Sequence, residues 1–185
     1  DNLLKIFILY SVLSFLILTL LIFSKIRLFN SLNLTMTLVS TGGFLPSDNL
    51  NEIITTNFQK IVLIISLIFS LINFYFLFNM FNKKALLREH KEDFYLLTSI
   101  IIFFLLISFN DIDAINLIIN FVSSLANSGI SLIKNDNNLT LYFLFLAIIG
   151  GSLVSNTSGI KLSRLYILLK ITSLEIIKLI SPNSI

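Results

Sequence analysis

Two short turns hold the residues whose types and spacing are suited to ion chemistry. The first is Ser40-Thr41-Gly42-Gly43-Phe44, and the second, about 86 positions later, is Ala126-Asn127-Ser128-Gly129-Ile130. Glycine reaches backbone angles that a β-carbon forbids, so such a loop can turn its carbonyl oxygens toward an ion and replace the ion's water shell. Either turn alone is explained as an ordinary connection between helices. Two turns at matching positions favour a pair of ion-coordinating loops.

A third region combines small and polar residues inside an uncharged stretch. It runs Gly150-Gly151-Ser152-Leu153-Val154-Ser155-Asn156-Thr157-Ser158-Gly159. Such residues destabilise a helix within a membrane unless the backbone opens or neighbouring helices pack closely. Two interpretations stay open: close packing between helices, or a helix break that projects a loop into a conduction path.

The composition indicates which elements must position these turns. Of the 185 residues, 56% are hydrophobic and 12% are charged, and the mean hydropathy is +0.94. Soluble domains carry roughly 25% charged residues. Four stretches carry no charge, residues 6–24, 61–82, 94–110 and 137–160, and each is near or above the roughly 17–25 residues that a membrane-crossing helix needs. The sequence therefore predicts an all-α integral membrane protein, because a helix satisfies its own backbone in lipid. With no cysteine, disulfide frameworks and thiolate metal sites are excluded.

A short, partly polar segment precedes each of the two glycine turns. Residues 29–39 and 114–126 are too short to cross a bilayer, which leaves a re-entrant half-helix or an amphipathic helix on the membrane surface. Because the order of span, short helix, glycine turn and span occurs twice, we interpret the chain as tandem K+ channel-like pore repeats. Residues 1–86 form the first, and residues 87–185 form the second together with the glycine-rich loop and a basic C-terminal helix. The ends of the half-helices would present partial charges to the pore.

The placement of charge predicts the topology. Basic residues dominate segments 83–93 and 161–185, which are therefore expected on the cytoplasmic side, with both glycine turns outside. Residues 6–24 are interpreted as a retained span, and a chain that opens at Asp1 as a segment of something longer. Asp111 and Asp113 would concentrate cations at the outer mouth or are ordinary solvated acids. Lys161 and Arg164 would face the inner pore or a partner, or anchor a helix end at the lipid headgroups.

These residues together resemble the Trk/Ktr/HKT potassium transporter family, specifically the bacterial Trk membrane subunit. Thr41-Gly42-Gly43-Phe44 is similar to the filter of the second repeat, and residues 123–130 are similar to that of the third. The segment Gly150-Gly151…Ser155…Gly159-Ile160-Lys161…Arg164 is similar to the glycine-rich intramembrane loop and the start of its following helix. The resemblance runs along nearly the whole chain.

The resemblance implies a set of expectations. Family members have four repeats around one pore, assemble as dimers in the bacterial inner membrane, pass K+ (sometimes with Na+ or H+), and are regulated by a cytosolic nucleotide-binding ring. This chain would be a multi-pass segment with the second and third repeats, surrounded by lipid and by the remaining repeats, with no nucleic-acid partner and no cofactor. Backbone carbonyls alone would hold K+ in a filter of Thr41, Gly42, Gly43, Phe44, Asn127, Ser128, Gly129 and Ile130. The gate would consist of Gly150, Gly151, Ser155, Asn156, Thr157, Ser158, Gly159 and Lys161.

Several positions depart from the family pattern. Asn156, Thr157 and Ser158 stand where consecutive glycines are usual, and Val154 stands for a glycine. Asn127 and Ser128 replace the usual threonine or alanine, and Ile130 replaces an aromatic residue. The leading prediction is a subunit that conducts K+; the alternative is a non-conducting membrane scaffold or a degenerate remnant. An enzyme is not expected, because the single histidine, His90, lies in a charged loop and no carboxylate pair or nucleophile–base spacing falls within the spans.

Overall fold

The computed structural model describes residues 2–47, 49–72, 95, 98, 101, 114–132, 137–152 and 155–180. Helices dominate these ranges, and a short 3-10 turn covers Leu50–Glu52. Tyr95, Thr98 and Ile101 are also helical. The helices are α1 (Asn2–Phe23), α2 (Leu28–Ser40), α3 (Asn57–Leu71), α4 (Ala114–Ala126), α5 (Asn137–Ile149) and α6 (Leu162–Ile180). The predicted all-α fold is confirmed.

Helix α1 begins the first repeat and packs against α2 and α3. Its buried apolar residues Leu13, Ile17 and Leu21 recur every fourth position, which places them on one helix face. Most of its other large side chains are exposed. Among the described residues, Ile6–Phe23 of α1 is the one helical segment long and apolar enough to cross a membrane.

Helix α3 begins at a capping box and is tied there to the end of α1. The Thr56 hydroxyl accepts from the backbone N–H of Gln59, while the Gln59 side chain accepts from the backbone N–H of Thr56. The Gln59 amide nitrogen also donates to the carbonyl oxygen of Ser24 at 3.1 Å. Such a cap satisfies donors that the first helical turn leaves free. The same side chain therefore starts α3 and fixes its position against α1.

The two repeats meet where α3 packs against α4. Leu63 and Leu67 of α3 and Ile119 and Val122 of α4 are fully buried in one hydrophobic core. Helix α4 in turn packs against α5. This core holds the ends of the short helices α2 and α4 in a common framework.

The short helices have the bounds that the sequence indicates. Helices α2 and α4 are each 13 residues long, and each ends at its glycine turn. The uncharged run 137–160 is not one helix, because α5 ends at Ile149 and α6 begins only at Leu162. The chain leaves the helix at Gly150, as the helix-break interpretation requires.

Several predictions fall on residues outside the described ranges. These are the second span beyond Ile72, the charged segment 83–93 with His90, the third span 94–110 apart from its three described positions, Asp111, Asp113 and Val154.

Candidate ion-binding site

The two predicted filter loops, Thr41–Phe44 and Asn127–Ile130, follow their helices with the same backbone conformation. Thr41 and Asn127 are left-handed, with φ of 52° and 55°, and the glycines two positions later, Gly43 and Gly129, have φ of 73° and 67°. In both loops a backbone N–H returns to the helix at 3.1 Å, from Gly42 to Thr37 and from Ser128 to Ser123. A left-handed conformation is uncommon for a residue with a β-carbon. Its occurrence at both equivalent positions shows that the loops are structural copies.

The two filter loops lie directly against each other. A β-carbon on Gly43 would stand 2.9 Å from the backbone oxygen of Ser128 and 3.8 Å from the Cα of Gly129. The first distance is shorter than a β-carbon tolerates, and the positive φ at Gly43 adds a second reason for glycine. The structure therefore brings together the two glycine turns that the sequence places about 86 residues apart.

Hydroxyl groups one turn back in each helix brace the loops. Thr37 donates to the carbonyl oxygen of Phe44, and the hydroxyls of Ser123 and Ser128 lie 2.9 Å apart. Thr37 and Ser123 occupy equivalent positions, and both are buried. Thr37 was not among the predicted site residues, and Ser123 entered only as the first residue of the segment that resembles the third filter. The repeat spacing itself was the signal that pairs them, because it aligns a hydroxyl residue with a hydroxyl residue.

The helix ends give both loops the same electrostatic character. Helices α2 and α4 end at their loops, so the partial negative charge of each C-terminal end points toward the region where the loops meet. Free or weakly paired carbonyl groups concentrate at such an end. The arrangement favours a cation there and disfavours an anion.

The last residues of the loops lie in different surroundings. Phe44 is 82% exposed, whereas Ile130 is 1% exposed. Phe44 borders a groove of about 390 Å³ along α2, which Phe29 and Met36 also line. Ile130 belongs to the hydrophobic core. The second loop thus ends inside the hydrophobic core, while the first presents an open apolar flank.

The glycine-rich loop, residues 150–159, opens from the end of α5 and is closed at its base. Four backbone carbonyls at a helix C-terminus lack partners within the helix, and here all four are satisfied. The acceptors and donors are Leu146 O with Gly150 N at 3.1 Å, Ala147 O with Asn127 Nδ2 at 2.9 Å, Ile148 O with Ile160 N at 2.9 Å, and Ile149 O with Lys161 N at 2.9 Å. One bond comes from Asn127 of the second filter loop, which is therefore tied to the end of α5 from which the glycine-rich loop opens.

Glycines let the two ends of this loop approach each other. Gly150 and Gly159 have φ of 72° and 91°. A β-carbon on Gly150 would meet the Ser158 carbonyl, and one on Gly159 would lie 3.0 Å from the oxygen of Ile148 and 3.1 Å from the Cα of Gly150. The break in the helix is therefore held by backbone-to-backbone packing that other residues cannot make.

The glycine-rich loop also contacts the first repeat. The Ser152 hydroxyl donates to the carbonyl oxygen of Leu71 at 3.0 Å, and its backbone N–H donates to the same oxygen at 3.3 Å. The Thr41 hydroxyl lies 3.5 Å from the carbonyl oxygen of Asn156. The glycine-rich loop thus lies next to the first filter loop and the end of α3.

Lys161 turns its side chain into the glycine-rich loop. Its ammonium donates to the carbonyl oxygen of Thr157, to the Thr157 hydroxyl at 3.0 Å and to the Ser155 hydroxyl at 3.3 Å. The alternative of a headgroup anchor therefore does not describe Lys161. Arg164, one turn into α6, is exposed.

In sequence and in fold, the chain is similar to transporters. No protein-family model matches the chain. In sequence it is 32% identical over 187 residues to an uncharacterized cation transporter of Methanocaldococcus jannaschii, an alignment that covers 97% of this chain and 37% of that protein. In structure it is similar to the potassium transporter TrkH from Vibrio parahaemolyticus, with a TM-score of 0.81 and 18% identity over 97% of this chain and 42% of that one.

The chain thus spans well under half the length of both proteins. The similarity to TrkH at this identity is a similarity of fold, and the M. jannaschii relative adds a similarity of sequence over nearly all 185 residues. Both are transporters, so the chain is a membrane protein. In sequence it matches part of a cation transporter, and in fold it matches part of the potassium transporter TrkH, and the two findings together support the family resemblance found in its residues.

Proposed function

We propose that this chain forms part of the pore of a K+ transporter, with the two filter loops as ion ligands. The observation that carries the proposal is the contact of Gly43 with the backbone of Ser128 and Gly129. Two loops with one backbone conformation, each at the end of a short helix, meet at a point where only main chain fits. Main-chain carbonyls are the groups that replace the hydration shell of K+ in a filter.

The choice of a cation is supported by electrostatics. The C-terminal ends of α2 and α4 approach the loops with partial negative charge. K+ rather than another cation is supported by the resemblance of Thr41–Phe44 to a filter and by the similarity to TrkH, which is a potassium transporter. Transport by K+ alone or together with Na+ or H+ fits the same loops.

The proposal gives the short helices and the glycine-rich loop defined roles. Helices α2 and α4 would be re-entrant half-helices, since a backbone turn at membrane depth is tolerated only where protein or a water-filled cavity covers it. The glycine-rich loop would be the gate, with Gly150, Gly151, Ser155, Asn156, Thr157, Ser158, Gly159 and Lys161 as its residues. Its support is the hydrogen bond from Asn127 to Ala147 O, which links the second filter loop to the helix end where the glycine-rich loop begins.

Two filter loops are half of a fourfold ring, so the pore is completed by further repeats of a longer transporter. The relatives, more than twice as long as this chain, have room for them. A dimer, a cytosolic nucleotide-binding regulatory subunit and the bacterial inner membrane belong to the same proposal, since they follow from the family resemblance.

Rubidium flux into liposomes that contain the complete parent protein tests the function. We expect Gly43→Asp to abolish flux, because its side chain cannot fit beside the Ser128 backbone oxygen. Lys25→Met is the control, since Lys25 is exposed at the end of α1 and should leave flux unchanged. Equal flux in the wild type and in Gly43→Asp would contradict the proposal.

A non-conducting scaffold is the second candidate, and one observation favours it: the Lys161 ammonium fills the proposed gate. That candidate requires that the wild type carry no rubidium flux and that K+ leave its thermal stability unchanged. Transporter relatives give an enzyme no support.

A further inference from the structure

We propose that the oxygens around Lys161 form a monovalent-cation site within the glycine-rich loop, and that the lysine ammonium fills this site in the closed state. The inference rests on the proposed function, in which the loop lies on the ion path. It adds a second cation site, distinct from the filter loops, and names the group that competes for it.

The geometry of the ammonium resembles that of a coordinated ion. The ammonium donates to three oxygens: the Thr157 carbonyl, the Thr157 hydroxyl and the Ser155 hydroxyl. A lysine ammonium has three N–H donors to offer. Carbonyl and hydroxyl oxygens are also the ligands by which filters hold K+. The loop therefore surrounds the ammonium with the same kind of oxygen ligands that a permeating K+ needs.

The oxygens of this shell are held in place by the loop itself. The Ser155 hydroxyl lies 2.8 Å from the Thr157 hydroxyl and donates to the carbonyl oxygen of Ser152 at 2.8 Å. The Thr157 hydroxyl also accepts from the backbone N–H of Gly151 at 3.0 Å. Because the same oxygens tie the loop together and bind the ammonium, occupation of the site and closure of the loop are linked.

The backbone of Lys161 provides a second, independent observation. Its φ is 74°, a left-handed conformation that is uncommon for a residue with a β-carbon. At Lys161 this conformation accompanies a side chain that is bound within the loop, whereas at Lys25 the same conformation leaves the side chain exposed. Lys161 is also partly buried, and a buried charge is expensive to keep unless it is paired, as the loop oxygens pair this one.

Removal of the ammonium should therefore open the loop and vacate the site. In rubidium flux through the complete transporter in liposomes, we expect Lys161→Met to raise basal uptake about tenfold, the shift that loss of one charge-assisted hydrogen bond gives to a two-state equilibrium. Lys161→Gln keeps a donor without the charge and should behave like Lys161→Met. Lys25→Met is the matched control, because Lys25 is also a left-handed lysine, with φ of 64°, but is exposed.

Chemical rescue separates the charge from other effects of substitution. The chain contains no cysteine, so Lys161→Cys introduces a single reactive position into it. Alkylation with bromoethylamine restores an ammonium at nearly the length of lysine and should return uptake to the wild-type level. Methyl methanethiosulfonate adds a neutral group and should leave uptake high.

Crystals of Lys161→Met soaked in rubidium give a readout independent of flux. Anomalous density between Ser155 and Thr157 is expected in the variant and not in the wild type. Wild-type flux with no increase in Lys161→Met, or an empty site in the soaked variant, overturns the inference and leaves the proposed function standing. Failure of the proposed function is recognised separately, by flux that Gly43→Asp does not change.

Discussion

The two filter loops are copies in backbone and differ in everything around it. Both begin with a left-handed residue at a helix end and turn at a glycine with positive φ. The last residues of the two loops differ in burial: Phe44 is largely exposed, whereas Ile130 is almost fully buried. Their braces differ too: a hydroxyl-to-carbonyl bond in the first loop and a hydroxyl pair in the second. The backbone is thus the part that the repeat has kept.

This difference supports main-chain atoms as the ligands in the proposed function. If side chains were the ion ligands, Thr41 and Asn127, or Gly42 and Ser128, would need to match in chemistry, and they do not. Carbonyl ligands need only a matching main chain. The side chains are then free to adapt to their neighbours, the core for the second loop and an open groove for the first.

The largest expected effect is a difference in stability loss between alanine variants of the last residues of the two loops. Ile130→Ala should lower the free energy of unfolding by ~2–5 kcal/mol, the usual cost of truncating a fully buried aliphatic residue. Phe44→Ala should cost far less, because the ring is 82% exposed. Apparent melting temperatures of the detergent-solubilised parent protein measure both. Equal losses would mean that another part of that protein covers Phe44, and the two loops would then be alike in burial as well.

The next effect tests the backbone match through the glycines. Alanine at Gly43 or Gly129 costs about 1–2 kcal/mol for the left-handed conformation alone. At Gly43 the added carbon also meets the Ser128 oxygen at 2.9 Å, whereas at Gly129 the nearest atom is 3.8 Å away. Gly43→Ala should therefore reduce both thermal stability and rubidium flux more than Gly129→Ala.

Gly42→Ala is the matched control for these two variants. Gly42 lacks a positive φ, and its β-carbon would meet only the flexible hydroxyl of Ser40, at 3.1 Å, and the ring of Phe44. It should have the smallest effect on stability of the three. The opposite order, with Gly42→Ala as the most harmful, would contradict the assigned contact between the loops.

Sequence patterns predicted much of the local structure but not the contacts between distant segments. The bounds of α2 and α4 followed from the polar–apolar pattern and the glycines after them, which are local signals. The end of α5 at Ile149 could not be predicted in this way, because residues 137–160 carry no charge and their glycines also suit close packing between helices. The partner of Asn127, Ala147 O, and the inward direction of Lys161 depend on how the repeats pack, which no local pattern encodes.

The smallest expected effect concerns the link between filter and glycine-rich loop. Asn127 and Thr41 share one left-handed conformation, so replacement by glycine removes each side chain without adding strain. Asn127→Gly loses the 2.9 Å bond to Ala147 O and should cost about 1 kcal/mol in the melting experiment. Thr41→Gly loses an exposed bond to the neighbouring Ser40 carbonyl at 2.7 Å and a 3.5 Å approach to Asn156 O, but it relieves an unfavourable threonine conformation, so its stability should change less than that of Asn127→Gly. If both variants lose the same amount, the filter loops of both repeats hold the glycine-rich loop. If only Asn127→Gly does, the second repeat alone holds the end of α5 where that loop begins.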